Sequence, residues 1–166
     1  MSDNHLDMPI SWEEMHRHTK SLARKLMNKG PWKGIIGVAR GGLVPACIIA
    51  RELDVHVVET LCISSYDHKD RGMAKVLKVP DNVGDGSGWL VIDDLVDTGN
   101  TFRVARDLMP KAFYAAVYAK PKGEDTVDAF TMEVSQDTWI HFPWDLEARY
   151  SVPLADEKQP RSVQNP

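Results

Sequence analysis

Val91-Ile92-Asp93-Asp94-Leu95-Val96-Asp97-Thr98-Gly99-Asn100-Thr101 reads as a strand that delivers two adjacent carboxylates, then a turn, then the first residues of a helix. Asp97, Thr98, Gly99, Asn100 and Thr101 lead into that helix, whose unpaired amides and positive dipole end can cradle a phosphate monoester. Asp93 and Asp94 would repel a phosphate at close range. They suit sugar hydroxyls or a hard cation instead, and one ligand carrying phosphate, sugar and magnesium would satisfy both halves. The same residues also suit a plain strand-to-helix turn in which Asp and Thr serve only as caps.

Working outward, short apolar runs fit for buried strands recur at Gly34 to Ala39, Val55 to Ile63, Trp89 to Ile92 and Phe113 to Ala119. Helical segments alternate with them. Leu43 to Leu53 carries a proline near its first turn, and Thr101 to Met109 is stopped by Pro110. Nearer the amino terminus, Ser11 and Glu14 form a capping box, with Ile10 and Met15 placed for a hydrophobic staple. Trp12, Met15, Thr19, Leu22 and Leu26 then make a core-facing stripe that should end at Gly30. This alternation predicts a single α/β domain with a mostly parallel central sheet flanked by helices. Ligands in that architecture bind beyond the carboxyl ends of the strands.

Three further segments fall at such loops. Ala39-Arg40-Gly41-Gly42-Leu43 joins a strand to a helix, where paired glycines permit close backbone approach to a ligand and Arg40 adds a cation. Ser64 to Gly88 is a long polar segment with four glycines and one β-like stretch, Lys75 to Val79; loops of this length in a compact domain are usually lids or disordered. Lys120 follows the apolar strand Phe113 to Ala119, and Asp137-Thr138-Trp139-Ile140 offers an indole able to stack on a heterocycle.

Composition narrows the partners. The 166 residues are 43% hydrophobic and 27% charged, ordinary globular usage, and a net charge of -4 gives no global attraction to nucleic acid. Cys47 and Cys62 sit in apolar runs and read as buried free thiols. The histidines lack zinc-ligand spacing. Met1 to Pro9 has no signal-peptide pattern, and the longest apolar stretches fall short of the roughly 20 residues needed to span a bilayer. The expectation is a cytoplasmic protein. From Pro153 the chain turns polar and proline-containing, so 153–166 is expected to be a disordered tail.

The stretch from Val91 to Thr101 resembles the signature motif of the type I phosphoribosyltransferases. That resemblance implies Asp93 and Asp94 at the ribose hydroxyls, Asp94 at the magnesium shell, and Asp97 to Thr101 at the 5′-phosphate of phosphoribosyl diphosphate. It further implies a diphosphate-binding loop at Arg40, Gly41 and Gly42 with a non-proline cis peptide at Ala39-Arg40. A lid is implied over about 64–88, where ungapped matching puts Gly72 at the family's basic position and Arg71 one residue earlier; Arg71 or a neighbour is assigned to the diphosphate. Lys120 with Trp139 and Ile140 is similar to the base pocket of bacterial xanthine-guanine phosphoribosyltransferases. There the lysine contacts the 6-oxo group, the indole stacks on the purine, backbone near Ile140 reads the 2-substituent, and Asp97 sits near nitrogen 7. A small base-binding hood over about 120–150 follows from the same likeness, within a domain spanning 1–152.

The activity so implied joins guanine or xanthine, and hypoxanthine more weakly, to phosphoribosyl diphosphate, giving the 5′-monophosphate and diphosphate. A homotetramer or homodimer is implied too. Relatives can associate peripherally with the inner membrane, although no basic amphipathic helix or lipidation signal here requires it. Two alternatives share the fold. The synthetase of phosphoribosyl diphosphate is built from two such domains, which this length excludes. A non-catalytic regulator sensing phosphoribosyl diphosphate or nucleotide is the other, and the acidic composition with intact base-pocket residues speaks against it.

Overall fold

A computed structural model of the chain describes residues 6–65 and 74–145. The elements run β1 (Leu6–Pro9), α1 (Trp12–Leu26), β2 (Gly34–Ala39), α2 (Leu43–Glu52), β3 (Val58–Ser65), β4 (Ala74–Lys78), β5 (Trp89–Val96), α3 (Asn100–Leu108), β6 (Phe113–Ala119), a 3₁₀ turn (Glu124–Thr126), β7 (Ala129–Glu133) and β8 (Thr138–His141). Six strands form one sheet in the order β4-β3-β2-β5-β6-β7. All neighbours in it are parallel except β3 and β4. The expected mostly parallel sheet flanked by helices is therefore the architecture of this chain.

The apolar runs are continuous because both faces of the sheet are covered. Ile35, Leu90, Ile92, Ala115 and Val117 face one core with Met15, Leu22 and Leu26 of α1 and Ala46 and Ile49 of α2. Their sequence neighbours Ile36, Val91, Tyr114 and Ala116 face a second core with Phe102 and Ala105 of α3. At roughly 25 cal/mol per Å² of apolar surface removed from water, these two layers are the main stabilisation. They also hold the carboxyl ends of β2, β5 and β6 side by side, which is where the site forms.

Helix α1 begins as its sequence predicts. Ser11 Oγ accepts the Glu14 N–H at 3.1 Å, Glu14 Oε2 accepts the Ser11 N–H at 2.9 Å, and Ile10 and Met15 are both buried. The Ser11 bonds hold the Glu14 carboxyl below its usual pKa. Trp12 departs from the expected core stripe. Standing at the first helical position, it remains 57% exposed and lies against Trp144 at 6.1 Å between ring centroids. The helix closes at Leu26, ahead of Gly30.

Other boundaries shift as well. The third strand starts at Val58 rather than Val55, whose N–H is taken by the Ala50 carbonyl at the end of α2. Strand β5 runs on to Val96, because β6 pairs with it through Asp93↔Ala116 and Val96↔Ala119. Asp93 and Asp94 thus belong to the strand itself. Cys47 is exposed and Cys62 partly so, against the expectation of two buried thiols. Pro45, Ala46, Ile49 and Ala50 take the buried face of α2, and Leu43 and Cys47, one turn apart, look outward.

Within the segment 64–88, residues 74–78 form β4 against β3, and turns at Gly84, Gly86 and Gly88 carry the chain to β5. Arg71 and the rest of 66–73, together with 146–166, lie outside the described residues. Of the segment 120–145, β7 extends the central sheet, whereas β8 pairs in parallel with β1 in a separate two-stranded sheet. His141 Nε2 meets Asp7 Oδ1 at 2.8 Å across that pair. Among the described residues, no helix is long and apolar enough to cross a membrane.

Candidate active site

Two loops meet at the ends of β2 and β5. The Ala39-Arg40 peptide is cis, and Gly41 and Gly42 follow it. A Cβ on Gly42 would collide with the Ile92 carbonyl of β5, and one on Gly41 would collide with the Asp94 carboxylate. The glycine pair is what allows this loop to lie on the acidic end of β5. Arg40 lines a cleft of about 420 Å³ with Ala39, Cys62, Ile63, Ser64 and Leu77.

The two carboxylates are held by backbone. The Asp94 N–H donates to Asp93 Oδ1 at 2.9 Å, and the Leu95 N–H donates to Asp94 Oδ1 at 2.6 Å. Burial first, and then the Asp94 charge, holds the Asp93 carboxyl well above its ordinary pKa. Burial likewise raises Asp94, partly offset by its hydrogen bonds. Two carboxylates that resist ionising together would be relieved by a cation. Among the described residues no cluster of three or more metal-binding side chains exists. Magnesium takes one or two carboxylates and completes its shell with water and phosphate oxygens, so this pair fits a magnesium ion that arrives with a phosphorylated ligand.

Beyond Val96 the turn reaches Gly99, the N-cap of α3, at φ +84°. No side chain caps this helix start, leaving its first amides for an incoming anion. The turn is braced from behind. Arg103 donates to the Thr98 carbonyl at 2.8 Å and pairs with Asp125 at 3.0 Å, and a Cβ on Gly99 would strike Thr126. Thr98 lies in the turn before Gly99, and Asn100 and Thr101 stand in the first turn of α3.

Lys120 is 5% exposed and directs Nζ to Asp97 Oδ2 at 3.3 Å. The other Asp97 oxygen accepts from Gln136 Nε2 at 2.7 Å. Gln136 was not singled out from sequence; a lone glutamine in a polar turn carries no periodic or motif signal. Three residues later Trp139 is 60% exposed on β8 in register with Asp7, and Ile140 is buried beside it. The structure therefore joins Lys120, Asp97 and Gln136 by direct contact and Gly41 to Asp94 by close packing, with Gly42 against the Ile92 carbonyl and Arg40 in the cleft beside β3 and β4.

A site with an uncapped helix start, paired carboxylates, a buried ammonium and an exposed indole suits a ligand with phosphate, sugar and heterocycle. Comparison with known proteins agrees. The xanthine-guanine phosphoribosyltransferase of Nitratidesulfovibrio vulgaris (strain DP4) is 58% identical over 152 residues, covering 91% of this chain and 92% of that one. The enzyme of the same name from Desulfotalea psychrophila is 58% identical over 152 residues, covering 91% and 94%. Among solved structures, a purine phosphoribosyltransferase from Pyrococcus horikoshii superposes with a TM-score of 0.71 at 25% identity, over 89% of this chain and 97% of that chain. The model of the phosphoribosyl transferase domain matches residues 11–151. With that span matched and such relatives beside it, the chain belongs to the phosphoribosyl transferase domain family.

Proposed function

We propose that this protein transfers the 5-phosphoribosyl group from phosphoribosyl diphosphate to guanine or xanthine, and more weakly to hypoxanthine, in purine salvage. The observation that carries this reading is the buried Lys120 ammonium held 3.3 Å from Asp97, at the junction of the phosphate cradle and the strand bearing Trp139. An ammonium donates but cannot accept, so it selects a 6-oxo group over an amino group.

In this mechanism the helix start at Asp97 to Thr101 holds the 5′-phosphate, and Asp93 and Asp94 take the ribose hydroxyls. Arg40 and the Gly41 amide serve the diphosphate, while the Gly42 N–H is spent on the Val38 carbonyl at 2.8 Å and fixes the loop. A magnesium ion held by Asp94 would neutralise charge on the departing diphosphate. The bond from the anomeric carbon to the diphosphate oxygen breaks with its electron pair on oxygen, and nitrogen 9 of the purine bonds to that carbon. The proton on nitrogen 7 passes to Asp97, and the exposed Trp139 indole offers a face for the purine to stack on. Carboxylates beside the ribose favour the positive charge that develops there.

Assembly as a homodimer or homotetramer belongs to the same proposal, and sedimentation would measure it. The test of function is incubation with magnesium, phosphoribosyl diphosphate and a panel of purines, with nucleotides separated by chromatography. Guanine and xanthine should be consumed and adenine spared. Binding of phosphoribosyl diphosphate without turnover of any purine would overturn the catalytic reading in favour of a regulator.

A further inference from the structure

Gln136 occupies the turn between β7 and β8, closed by the Thr138 N–H to the Ser135 carbonyl at 3.1 Å and by the two hydroxyls of those residues at 2.6 Å. Its side chain crosses to two other elements. Oε1 accepts the Lys122 N–H at 3.0 Å, and Nε2 donates to Asp97 Oδ1 at 2.7 Å. The partners fix which end of the amide is which, because a backbone N–H only donates and a carboxylate only accepts. A glutamine amide meets both needs at once, whereas glutamate would set carboxylate against carboxylate.

The surroundings leave Asp97 few other supports. The turn at 120–123 is fastened to the end of β5 by the Lys120 N–H to the Val96 carbonyl at 2.9 Å, and a Cβ on Gly123 would stand 2.9 Å from the Asp97 carbonyl oxygen. One carboxylate oxygen is thus taken by Lys120 from this turn and the other by Gln136 from the strand side. Without Gln136 the half-exposed Asp97 side chain keeps, among the described residues, Lys120 alone and gains freedom to rotate about it.

We propose that Gln136 is a positioning residue for phosphoribosyl transfer: it ties the carboxylate that handles the purine proton to the strand that carries Trp139, so both meet the base in one register. This rests on the function proposed above and deepens it. It assigns Gln136 to the purine side of the reaction, with no contact to phosphoribosyl diphosphate.

Steady-state kinetics of wild type, Gln136→Glu and Gln136→Met, each also in an Asp97→Ala background, test it. Hydrogen bonds to charged groups are worth enough that losing this one should lower kcat/KM for guanine roughly 10- to 100-fold. KM for phosphoribosyl diphosphate should stay within about twofold of wild type. Gln136→Glu is the decisive variant, since it keeps the length and the Lys122 bond and replaces the donation to Asp97 with a second carboxylate facing it. It should be impaired at least as much as Gln136→Met. In the Asp97→Ala background neither change should cost anything further. Wild-type rates in Gln136→Glu, a KM for phosphoribosyl diphosphate raised severalfold, or losses that persist without Asp97 would each overturn the proposal. Should Gln136→Met fail to show a cooperative thermal melt, Gln136→Glu carries the test alone. A wild type that transfers nothing would overturn the proposed function itself, a result separable from any of these.

Discussion

Adding a single methyl group at Gly41 tests whether the glycine loop and the acidic end of β5 work as one surface. Gly41 is outside the left-handed region, so alanine is acceptable to its backbone and the effect reduces to overlap. An ideal Cβ there would lie 2.5 Å from the Asp94 carboxylate carbon and 2.8 Å from Oδ1. Carbon atoms in contact sit about 3.5 to 4.0 Å apart, so the carboxylate must withdraw by about 1 Å. It cannot do so freely, because Oδ1 is anchored by the Leu95 N–H at 2.6 Å. A displacement of that size at a reacting centre costs about 100-fold, near 2.7 kcal/mol of transition-state stabilisation. Overpacking of this kind costs roughly 1–3 kcal/mol of stability, a drop of several degrees in Tm for a domain of this size. The assay is kcat/KM with phosphoribosyl diphosphate varied at fixed magnesium, alongside calorimetric titration of the same ligand and a thermal melt. A Gly41→Ala protein that melts normally and keeps wild-type affinity for phosphoribosyl diphosphate would show that this loop and Asp94 do not share the ligand.

Two further outcomes follow from the same site. Burial raises the carboxyls of Asp93 and Asp94, and the Asp94 charge raises Asp93 further, so in the ligand-free chain their contribution to stability is full below about pH 4, the unfolded range, and is lost as pH rises through the raised values. Binding of phosphoribosyl diphosphate with magnesium needs the ionised pair, so affinity should strengthen over that same rise and protons should be released. Calorimetry in two buffers of different ionisation enthalpy measures this; Asp94→Asn should weaken binding and flatten the slope, and an equal slope in that variant would refute the assignment. Lys120→Ala should lower the guanine-to-adenine ratio of kcat/KM by up to roughly 10⁴-fold, since sites built to hydrogen-bond one group reject analogues lacking it by that order. Trp139→Ala, by contrast, should weaken all purines alike, and an unchanged ratio in Lys120→Ala would remove the lysine from the base pocket.

The course of the backbone from Asp93 to Thr101 was legible in sequence because strand, turn and helix start are consecutive. Lys120 was legible for the same reason, standing one residue past an apolar strand whose end is fixed by architecture. Gln136 was not, since its partner Asp97 lies 39 positions away and nothing local marks the contact. Strand β1 was hidden too. Leu6–Pro9 is short and mostly exposed, and it becomes a strand only through pairing with Thr138–His141. Cys47 misled because α2 is apolar on more than its buried face, so the run of hydrophobic residues did not say which side faces the sheet. The acidic pair misled by one step: parallel pairing with β6 carried β5 past both carboxylates to Val96.

The pairing of β1 with β8 sets an order in which the molecule can be completed during synthesis. Every strand of the central sheet has left the ribosome once Glu133 has, so the surface for the sugar phosphate can assemble while β1 is still waiting. Its partner follows only with Thr138–His141, close to the end of the described chain. The purine half is therefore the last to be closed, by the joining of segments made more than a hundred residues apart. A chain cut short before β8 would keep Lys120 and the loops at the ends of β2 and β5, and would lack both the Trp139 indole and the strand that β1 pairs with.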